Sequence, residues 1–474
     1  MSASVDPIDA VRNAFPAIVK NPDYIFSENA GGCQVLGSVV AKISSYLVDT
    51  NVQMADYQLA KAAKARVDAG YAATALYLGH DVSPDEVMFG ASATQLVENL
   101  SRMIEESIIQ QHLWVAGDEI VITEADHETN RGAWKRLAAR HGLVIKQWKT
   151  SEISPPSVPN PTLGKELHTA NLADVVNERT RLVCFTACSN VLGKLVDIPA
   201  AVKIIKEKSG GKAWTCVDAV AYAPHRRPKP KDLGVDFMFW SWYKVFGPHI
   251  GAMYLSRRAQ EQLLTKLNHH FVQHYPGTYP FQPSSQQYEL IYSVTAVVEY
   301  LVALGSALTS SKISASTLAE APEVKWVELQ GDAPGSKALS QVIDAAYDWI
   351  ASHEDAMLAV CLHILRKPEL KDAIQIVGDV VDGTKTQTPI IAFTIGSLVV
   401  RTSLADAYNS ILGDSKMGAQ RGHMYAYDMI KALGLQVDDG VIRFSLAHYN
   451  TTDEARKIVE TVAGKLTGAD TVPH

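Results

Sequence analysis

The sequence predicts an α/β fold in which a mainly parallel sheet lies between layers of helices, followed by a smaller α+β domain. In the first two-thirds of the chain, short β-branched and aromatic runs alternate with segments whose apolar residues recur every three or four positions. This alternation is typical of a parallel sheet, because a helix makes each crossover between parallel strands. The predicted strands are 118–123, 143–148, 181–186, 214–218 and 237–240, and two predicted helices between them are 132–141 and 199–208.

The alternation stops after residue 305. Residues 306–336 are rich in Ser, Ala, Pro and Gly, and we predict that they form a connection or surface insertion. The pattern then predicts a long helix, three strands and a closing helix, at about 337–365, 374–380, 388–395, 440–445 and from Thr452. We therefore predict a large domain over 45–305 and a small domain formed by 1–44 together with 306–474.

The composition is that of an ordinary globular protein. Its 474 residues are 47% hydrophobic, and the net charge of −7 argues against nucleic acid or an anionic membrane as a partner. The five cysteines are scattered without a CxxC pair, and the N-terminus lacks the apolar core of a signal peptide, so we expect a cytoplasmic protein. The apolar stretch 291–308 contains Glu299 and several hydroxyl residues, which predicts a buried helix rather than a membrane span.

A lysine directly after a predicted buried strand is the most informative local pattern. Lys244 lies in the segment Ser-Trp-Tyr-Lys-Val-Phe-Gly-Pro, residues 241–248, whose Gly-Pro turn places it at a cleft. Partial desolvation there favours the neutral amine, the form that makes a Schiff base. Asp218 ends another predicted strand and is suited to hold the pyridine nitrogen of pyridoxal 5′-phosphate (PLP). A surface lysine and a helix N-cap are the alternative roles for these two residues.

Seven short segments occur in a fixed order along nearly the whole chain. They are Glu-Asn-Ala-Gly-Gly at 28–32, Gly-Ala-Ser-Ala-Thr at 90–94, Asp-His-Glu-Thr-Asn at 126–130, Ser-Asn-Val-Leu-Gly at 189–193, Asp218 with His225, the segment 241–248, and Arg-Phe-Ser…Tyr-Asn-Thr within 443–451. In this order they resemble the class V aminotransferase superfamily of PLP-dependent fold type I, specifically its cysteine-desulfurase-like branch. The resemblance implies PLP as cofactor, an amino acid as substrate, and a homodimer with active sites at the subunit interface.

The resemblance also assigns the cofactor-binding residues. Lys244 carries PLP as a Schiff base, Asp218 contacts its pyridine nitrogen, and His127 stacks on its ring, although a helix-capping role is the alternative for this histidine. Backbone N–H groups at the start of a helix suit a phosphate group. The phosphate ligands that the resemblance implies are Ala93, Thr94, Ser241 and Tyr243, with Ser285 reaching the phosphate of the partner subunit.

The residues expected to bind the substrate match the family pattern less completely. Arg443 matches the arginine that binds the substrate α-carboxylate, Asn190 matches a residue near that carboxylate and the cofactor's phenolic oxygen, and Ala30 belongs to the substrate pocket. Desulfurases carry a catalytic cysteine in a segment Arg-x-Gly-His-x-Cys, whereas here Tyr425 stands at the cysteine position. We predict that Tyr425 belongs to the substrate site, either as a proton donor or as a ring that shapes an apolar pocket. Ala221 stands where relatives have Gln or His against the phenolic oxygen.

Two other features of the sequence are not expected to take part in catalysis. The histidines His269, His270 and His274 have no acidic or cysteine partner nearby, so we predict no metal site. Cys33 follows the 28–32 segment and is expected to be passive.

The reaction that the sequence predicts is chemistry at the α-carbon of an amino acid, through a Schiff base and a quinonoid carbanion. Catalysis is assigned to Lys244, His127 and Asp218. Without a loop cysteine we expect no persulfide relay, which leaves epimerisation, elimination or carbon–carbon bond-forming cyclisation as in fungal secondary metabolism. A cysteine desulfurase or carbon–sulfur lyase is the alternative, and a non-catalytic binding protein of the same fold is a third possibility.

Overall fold

The computed structural model describes residues 7–153, 162–283, 285–310, 318–319, 321–329, 335–378, 386–395, 403–413 and 415–467. The described strands are β1 Val87–Gly90, β2 Glu119–Thr123, β3 Val144–Trp148, β4 Ser151–Glu152, β5 Thr162–Leu163, β6 Lys165–Glu166, β7 Thr180–Thr186, β8 Trp214–Asp218, β9 Phe237–Ser241, β10 Gly251–Leu255, β11 Ile374–Val377, β12 Ile390–Ile395, β13 Gln420–Gly422 and β14 Val441–Ser445. The described α-helices are Ile8–Asn13, Pro16–Lys20, Gly37–Asp49, Gln58–Leu78, Ala93–Gln111, Thr129–His141, Thr169–Ala173, Ile198–Lys208, Pro230–Leu233, Arg257–Gln262, Tyr288–Ser310, Ser336–Leu365, Leu404–Leu412, Tyr427–Ala432 and Thr452–Thr467.

Seven strands form the large sheet, in the order β1-β10-β9-β8-β7-β2-β3. The neighbours from β9 to β3 are parallel, and only β10 runs against its neighbours β1 and β9. The prediction of a mainly parallel sheet is confirmed. The carboxyl ends of β1, β2, β7, β8 and β9 therefore meet at one edge, where ligands of open α/β sheets bind.

The small sheet is mostly antiparallel, in the order β13-β14-β12-β11-β5. Its strands β11, β12 and β14 match three predicted strands, and residues 379–385 lie outside the described residues. The N-terminal segment connects the two sheets. Val11 and Phe15 are buried in the core beside the large sheet, whereas Glu28 forms a bridge to Ser445 of β14.

The helix Tyr288–Ser310 is the core helix that the apolar stretch predicted. Among the described residues it is the one helix long and apolar enough to cross a membrane, but 89% of its most apolar window is buried inside the protein. It packs against Gln58–Leu78 and Ser336–Leu365. The segment 306–336, expected as a connection or surface insertion, contributes two buried side chains to this core, Leu318 and Trp326. The Trp326 indole donates a hydrogen bond to Glu299 at 3.1 Å.

Candidate active site

Lys244 lies where the chain turns between β9 and β10. The strand β9 ends at Ser241, and one 3₁₀ turn, Trp242–Lys244, follows it. Phe246 then takes a left-handed conformation (φ 61°), which costs a non-glycine residue about 1–2 kcal/mol. Complete burial of the Phe246 ring against Phe15 and His448 offsets that cost. The turn is thus fixed by packing, and Lys244 is held at the carboxyl edge of the sheet.

The Lys244 side chain is buried and has no ion pair among the described residues. It is 8% exposed and lines a cleft together with Asp218, Asn190, His127 and Tyr243. Burial, followed by repulsion from Arg443, lowers the pKa of Lys244 to about 8. About a tenth of the amine is therefore neutral at pH 7, far more than for an ordinary lysine, and the neutral form is the one that covalent attachment of an aldehyde requires.

Asp218 lies across the cleft at the end of β8. Its side chain is 3% exposed, and its Oδ1 accepts one hydrogen bond from the backbone N–H of Val220 at 2.8 Å. Burial raises the pKa of this carboxyl to about 6. A buried carboxylate that makes no ion pair with any described residue suits a ligand that brings a protonated ring nitrogen.

His127 lies just beyond the carboxyl end of β2, on the third wall of the cleft. Its Nδ1 accepts a hydrogen bond from the backbone N–H of Thr129 at 3.1 Å, which leaves Nε2 as the protonated nitrogen of the neutral ring. Burial and the nearby cations Lys244 and Arg443 lower the pKa of His127 to about 4. A neutral imidazole is the form that stacks on an aromatic ring without a charge penalty.

The fourth wall is the start of the helix Ala93–Gln111. Ser92 caps this helix by accepting a hydrogen bond from Gln95 N, and the backbone of Ala93 and Thr94 borders the cleft. The Thr94 hydroxyl lies 2.9 Å from the Thr129 hydroxyl. Helix N–H groups with nearby hydroxyls form a binding site for a phosphate group.

Arg443 of β14 lies behind the cleft and is already paired. Its Nη1 donates to the backbone oxygen of Asn190 at 3.0 Å, and its Nη2 donates to Oε1 of Glu28. The Asn190 side chain in turn donates to the backbone oxygen of Met424 at 2.9 Å. The structure therefore brings the predicted residues Arg443 and Asn190 together, and it adds Glu28, which belongs to the 28–32 segment but was assigned no role from the sequence.

The loop that bears Tyr425 lies beside His127. Met424 and Tyr425 both have positive φ angles, 51° and 58°. The loop is held by a hydrogen bond from Glu128 N to the Tyr425 backbone oxygen at 2.9 Å. The Tyr425 ring lies 5.3 Å from the His127 ring at 33°, and its side chain is 67% exposed.

The other predicted residues differ in their position. Ala221 lines the cleft. Ala30 is buried and donates its N–H to the Ser445 hydroxyl at 2.7 Å, outside the set that lines the cleft. Ser285 is exposed and also lies outside that set, so its contact across a subunit interface stays a prediction. Burial raises the pKa of the Cys33 thiol to about 12.

Sequence reasoning missed several side chains of the cleft. They are Ser92, Thr129, Thr186, Cys188 and Val220. Ser92 and Thr129 stand inside segments used for the resemblance but were assigned no role, and the other three lie within a few residues of such a segment, so proximity to the segments was the available signal.

The cleft fits PLP on its own chemistry. It presents a buried lysine, a buried carboxylate without a described ion pair, a neutral imidazole and a hydroxyl-bearing helix start. These groups match an aldehyde, a pyridine nitrogen, an aromatic ring and a phosphate, respectively. Lys244, Asp218, His127 and the Ala93–Thr94 backbone would hold the cofactor.

Known proteins resemble this chain both in sequence and in fold. The class-V aminotransferase profile matches residues 25–325. The aminotransferase-like protein FGM3 of Gibberella zeae is 33% identical over 466 residues, covering 97% of this chain and 98% of that protein. The cysteine desulfurase-like protein ustD of Aspergillus flavus is 26% identical, and the match covers 96% of this chain and 89% of that protein. A cysteine desulfurase from Thermococcus onnurineus has the same fold, with a TM-score of 0.72 and 18% identity over 98% of this chain and 100% of that one.

Proposed function

Since the chain belongs to the class V aminotransferase family and is a PLP-dependent enzyme, we propose that it acts at the α-carbon of an amino acid without relaying sulfur through an enzyme persulfide. Bound PLP supplies an electron sink for negative charge at that carbon. Tyr425 carries the proposal: it stands beside His127 at the position where desulfurases place their cysteine.

The chain's own groups have distinct tasks in this reaction. Asp218 would keep the ring nitrogen of bound PLP protonated, and His127 would hold its ring in place. Arg443 binds the substrate α-carboxylate, which fixes the α-carbon near Lys244. The Lys244 amine would move the proton at the α-carbon, and a pKa of about 8 suits a base at neutral pH.

The cysteines give the proposal further support. Cys184, Cys188, Cys216 and Cys361 are buried, and burial raises the pKa of Cys188 and Cys361 to about 12. The Cys33 thiol interacts electrostatically with Lys244, but burial holds this thiol in the protonated form as well. A protonated thiol is a poor nucleophile for sulfur transfer.

A cysteine desulfurase or carbon–sulfur lyase is the second candidate. The name of the Aspergillus flavus relative, a cysteine desulfurase-like protein, favours it. Elimination of a leaving group from the β-carbon needs no enzyme thiol, so the lyase form of this candidate is compatible with Tyr425.

Three measurements on the holoenzyme test these candidates, and the two that follow the products of L-cysteine and β-chloro-L-alanine separate them. We expect loss of the α-hydrogen signal by NMR when the enzyme meets its amino acid in D₂O. L-cysteine with a reductant should yield little alanine and sulfide, whereas β-chloro-L-alanine reports elimination by releasing chloride. Alanine production from cysteine at ordinary desulfurase rates, unchanged in Tyr425→Phe, would restore the desulfurase assignment.

We also propose a homodimer. A second cleft is lined by apolar side chains that include Met54, Tyr275, Tyr288 and Val327, and it is bordered by Gln286, next to Ser285. Tyr275 and Val327 are about half exposed, and apolar patches of this kind mark protein interfaces. Light scattering at micromolar concentration should give twice the chain mass, and a mass of one chain would contradict the dimer.

A further inference from the structure

Both terminal nitrogens of the Arg443 guanidinium already have a hydrogen-bond acceptor before any substrate arrives. Its Nη1 is bonded to the Asn190 backbone oxygen and its Nη2 to the Glu28 carboxylate. Arg443 is 3% exposed, and its Nε is buried without a hydrogen-bond partner in the described chain. An incoming carboxylate that uses Nε and Nη2 together must therefore take the place of Glu28.

Glu28 is held in this position by a specific local structure. Its Oε2 accepts a hydrogen bond from the backbone N–H of Gly31 at 2.7 Å. A Cβ at residue 31 would lie only 2.3 Å from that oxygen, so a glycine is needed for this contact. The backbone around Glu28 is fixed to β14, because Glu28 bridges Ser445 and Asn29 N donates to the Ser445 oxygen. The contact between Glu28 and Arg443 is thus part of the fold.

We propose that Glu28 is a positioning residue that occupies Arg443 in the resting enzyme and is displaced by the substrate α-carboxylate. The proposal deepens the proposed function and rests on its assignment of Arg443. The Glu28 side chain is 22% exposed, which gives it a path toward solvent when it leaves. The exchange replaces one carboxylate by another, so the buried guanidinium always keeps an anionic partner.

This exchange makes the enzyme selective for ligands that carry a carboxylate. A primary amine without a carboxylate has no group that can replace Glu28, so its binding does not depend on the charge at residue 28. An amino acid or a simple carboxylate competes directly with that charge. Removing the charge should therefore strengthen carboxylate binding and leave amine binding unchanged.

Glu28→Gln in the holoenzyme tests this directly. The amide oxygen can still accept from Arg443, but the competing negative charge is gone. We expect propionate to bind about tenfold more tightly by calorimetry, a modest part of what a charged hydrogen bond contributes. The half-saturating amino-acid concentration should fall by a similar factor, while ethylamine affinity stays the same. Glu128→Gln is the matched control, because Glu128 lies next to His127 but pairs with Arg131.

The propionate measurement needs no turnover, so it separates this proposal from the proposed function. If no amino acid reacts but propionate binds Glu28→Gln more tightly, the exchange at Arg443 stands and the reaction assignment fails. Unchanged or weaker propionate binding, or an equal gain for ethylamine, would overturn the role of Glu28. Glu28→Asp provides a second variant if Glu28→Gln folds poorly, because its shorter side chain weakens the Arg443 contact and should also tighten propionate binding.

Discussion

The functional residues in and around the cleft fall into two groups that are built in different ways, which we call the cofactor wall and the substrate wall. The cofactor wall consists of His127, Asp218 and Lys244, each of which follows its own strand at the carboxyl edge of the large sheet. The substrate wall consists of Glu28, Asn190, Arg443 and Tyr425, joined by contacts such as that between Glu28 and Arg443, which lie 415 residues apart. The cofactor wall is set by topology, whereas the substrate wall depends on how the N-terminal segment and small sheet pack. Substitutions in the first wall should therefore stop the chemistry, and those in the second should change which ligand binds.

Lys244→Ala should have the largest effect, because it removes both the attachment point and the proton-transfer group. We expect turnover to fall by at least about 10²–10⁴-fold. Borohydride reduction followed by intact mass measurement should find no cofactor on the variant, and Lys212→Ala, which changes an exposed lysine, should retain it. A reduced variant that still carries the cofactor mass would mean that another lysine holds it.

Asp218→Asn is the next test of the cofactor wall. Loss of this charge should lower kcat by about 10²–10³-fold, the usual cost of one preorganised electrostatic group.

The same substitution has the opposite effect on the stability of the cofactor-free protein. Burial raises the folded pKa of Asp218 from 3.8 to about 6, so stability is highest with the proton bound and is lost as pH rises across that interval. The neutral amide avoids this loss. Urea unfolding of cofactor-free protein at pH 8 should show the variant more stable by about 1–3 kcal/mol. If the difference in unfolding free energy between the variant and the parent is the same at pH 4 and at pH 8, the buried-acid assignment is wrong.

Arg443→Ala tests the substrate wall. It should weaken amino-acid binding by about 1.5–3 kcal/mol, the range for a hydrogen bond to a charged group. Spectral titration of the lysine-bound cofactor measures this, and cofactor content should stay the same. Arg421→Ala, at a partly exposed position on β13, is the control. If the variant loses the cofactor but keeps its affinity for the amino acid, Arg443 binds the cofactor and not the substrate.

The cofactor wall could be predicted because its signals are local. The strands that end before His127, Asp218 and Lys244 were predicted to within a residue of their observed bounds, and each side chain is fixed by its own strand end. The family resemblance and the fold are confirmed by the class-V match and the desulfurase structures. The division of the chain into domains stays a prediction.

The substrate wall could be predicted only in part. Arg443 and Asn190 were found by their motifs, but nothing in the sequence near Glu28 shows that it meets an arginine on a distant strand. Leu318 and Trp326 were likewise missed as core residues, because the surrounding Ser, Ala, Pro and Gly hide two isolated apolar anchors. Long-range contacts of this kind are set by tertiary packing rather than by a local pattern.

Tyr425 is expected to give the smallest effect, and its two possible roles predict different results. A proton donor would make Tyr425→Phe slow by about 10²–10⁴-fold, whereas a ring that only shapes the pocket would make this variant nearly silent. The hydroxyl has no hydrogen bond to any described residue, and the side chain is 67% exposed, so we expect the ring to shape the pocket. Tyr425→Phe should then stay within about twofold of the parent, and Tyr425→Ala should raise KM a few fold, by removing an aromatic contact with His127 of about 0.5–1.5 kcal/mol. Tyr425→Gly is the informative comparison, because glycine removes the same ring but relieves the left-handed backbone at φ 58°. If Ala and Gly raise KM equally, the ring is the cause; if Gly alone changes kcat, the loop conformation sets the rate and the substrate wall acts through its backbone.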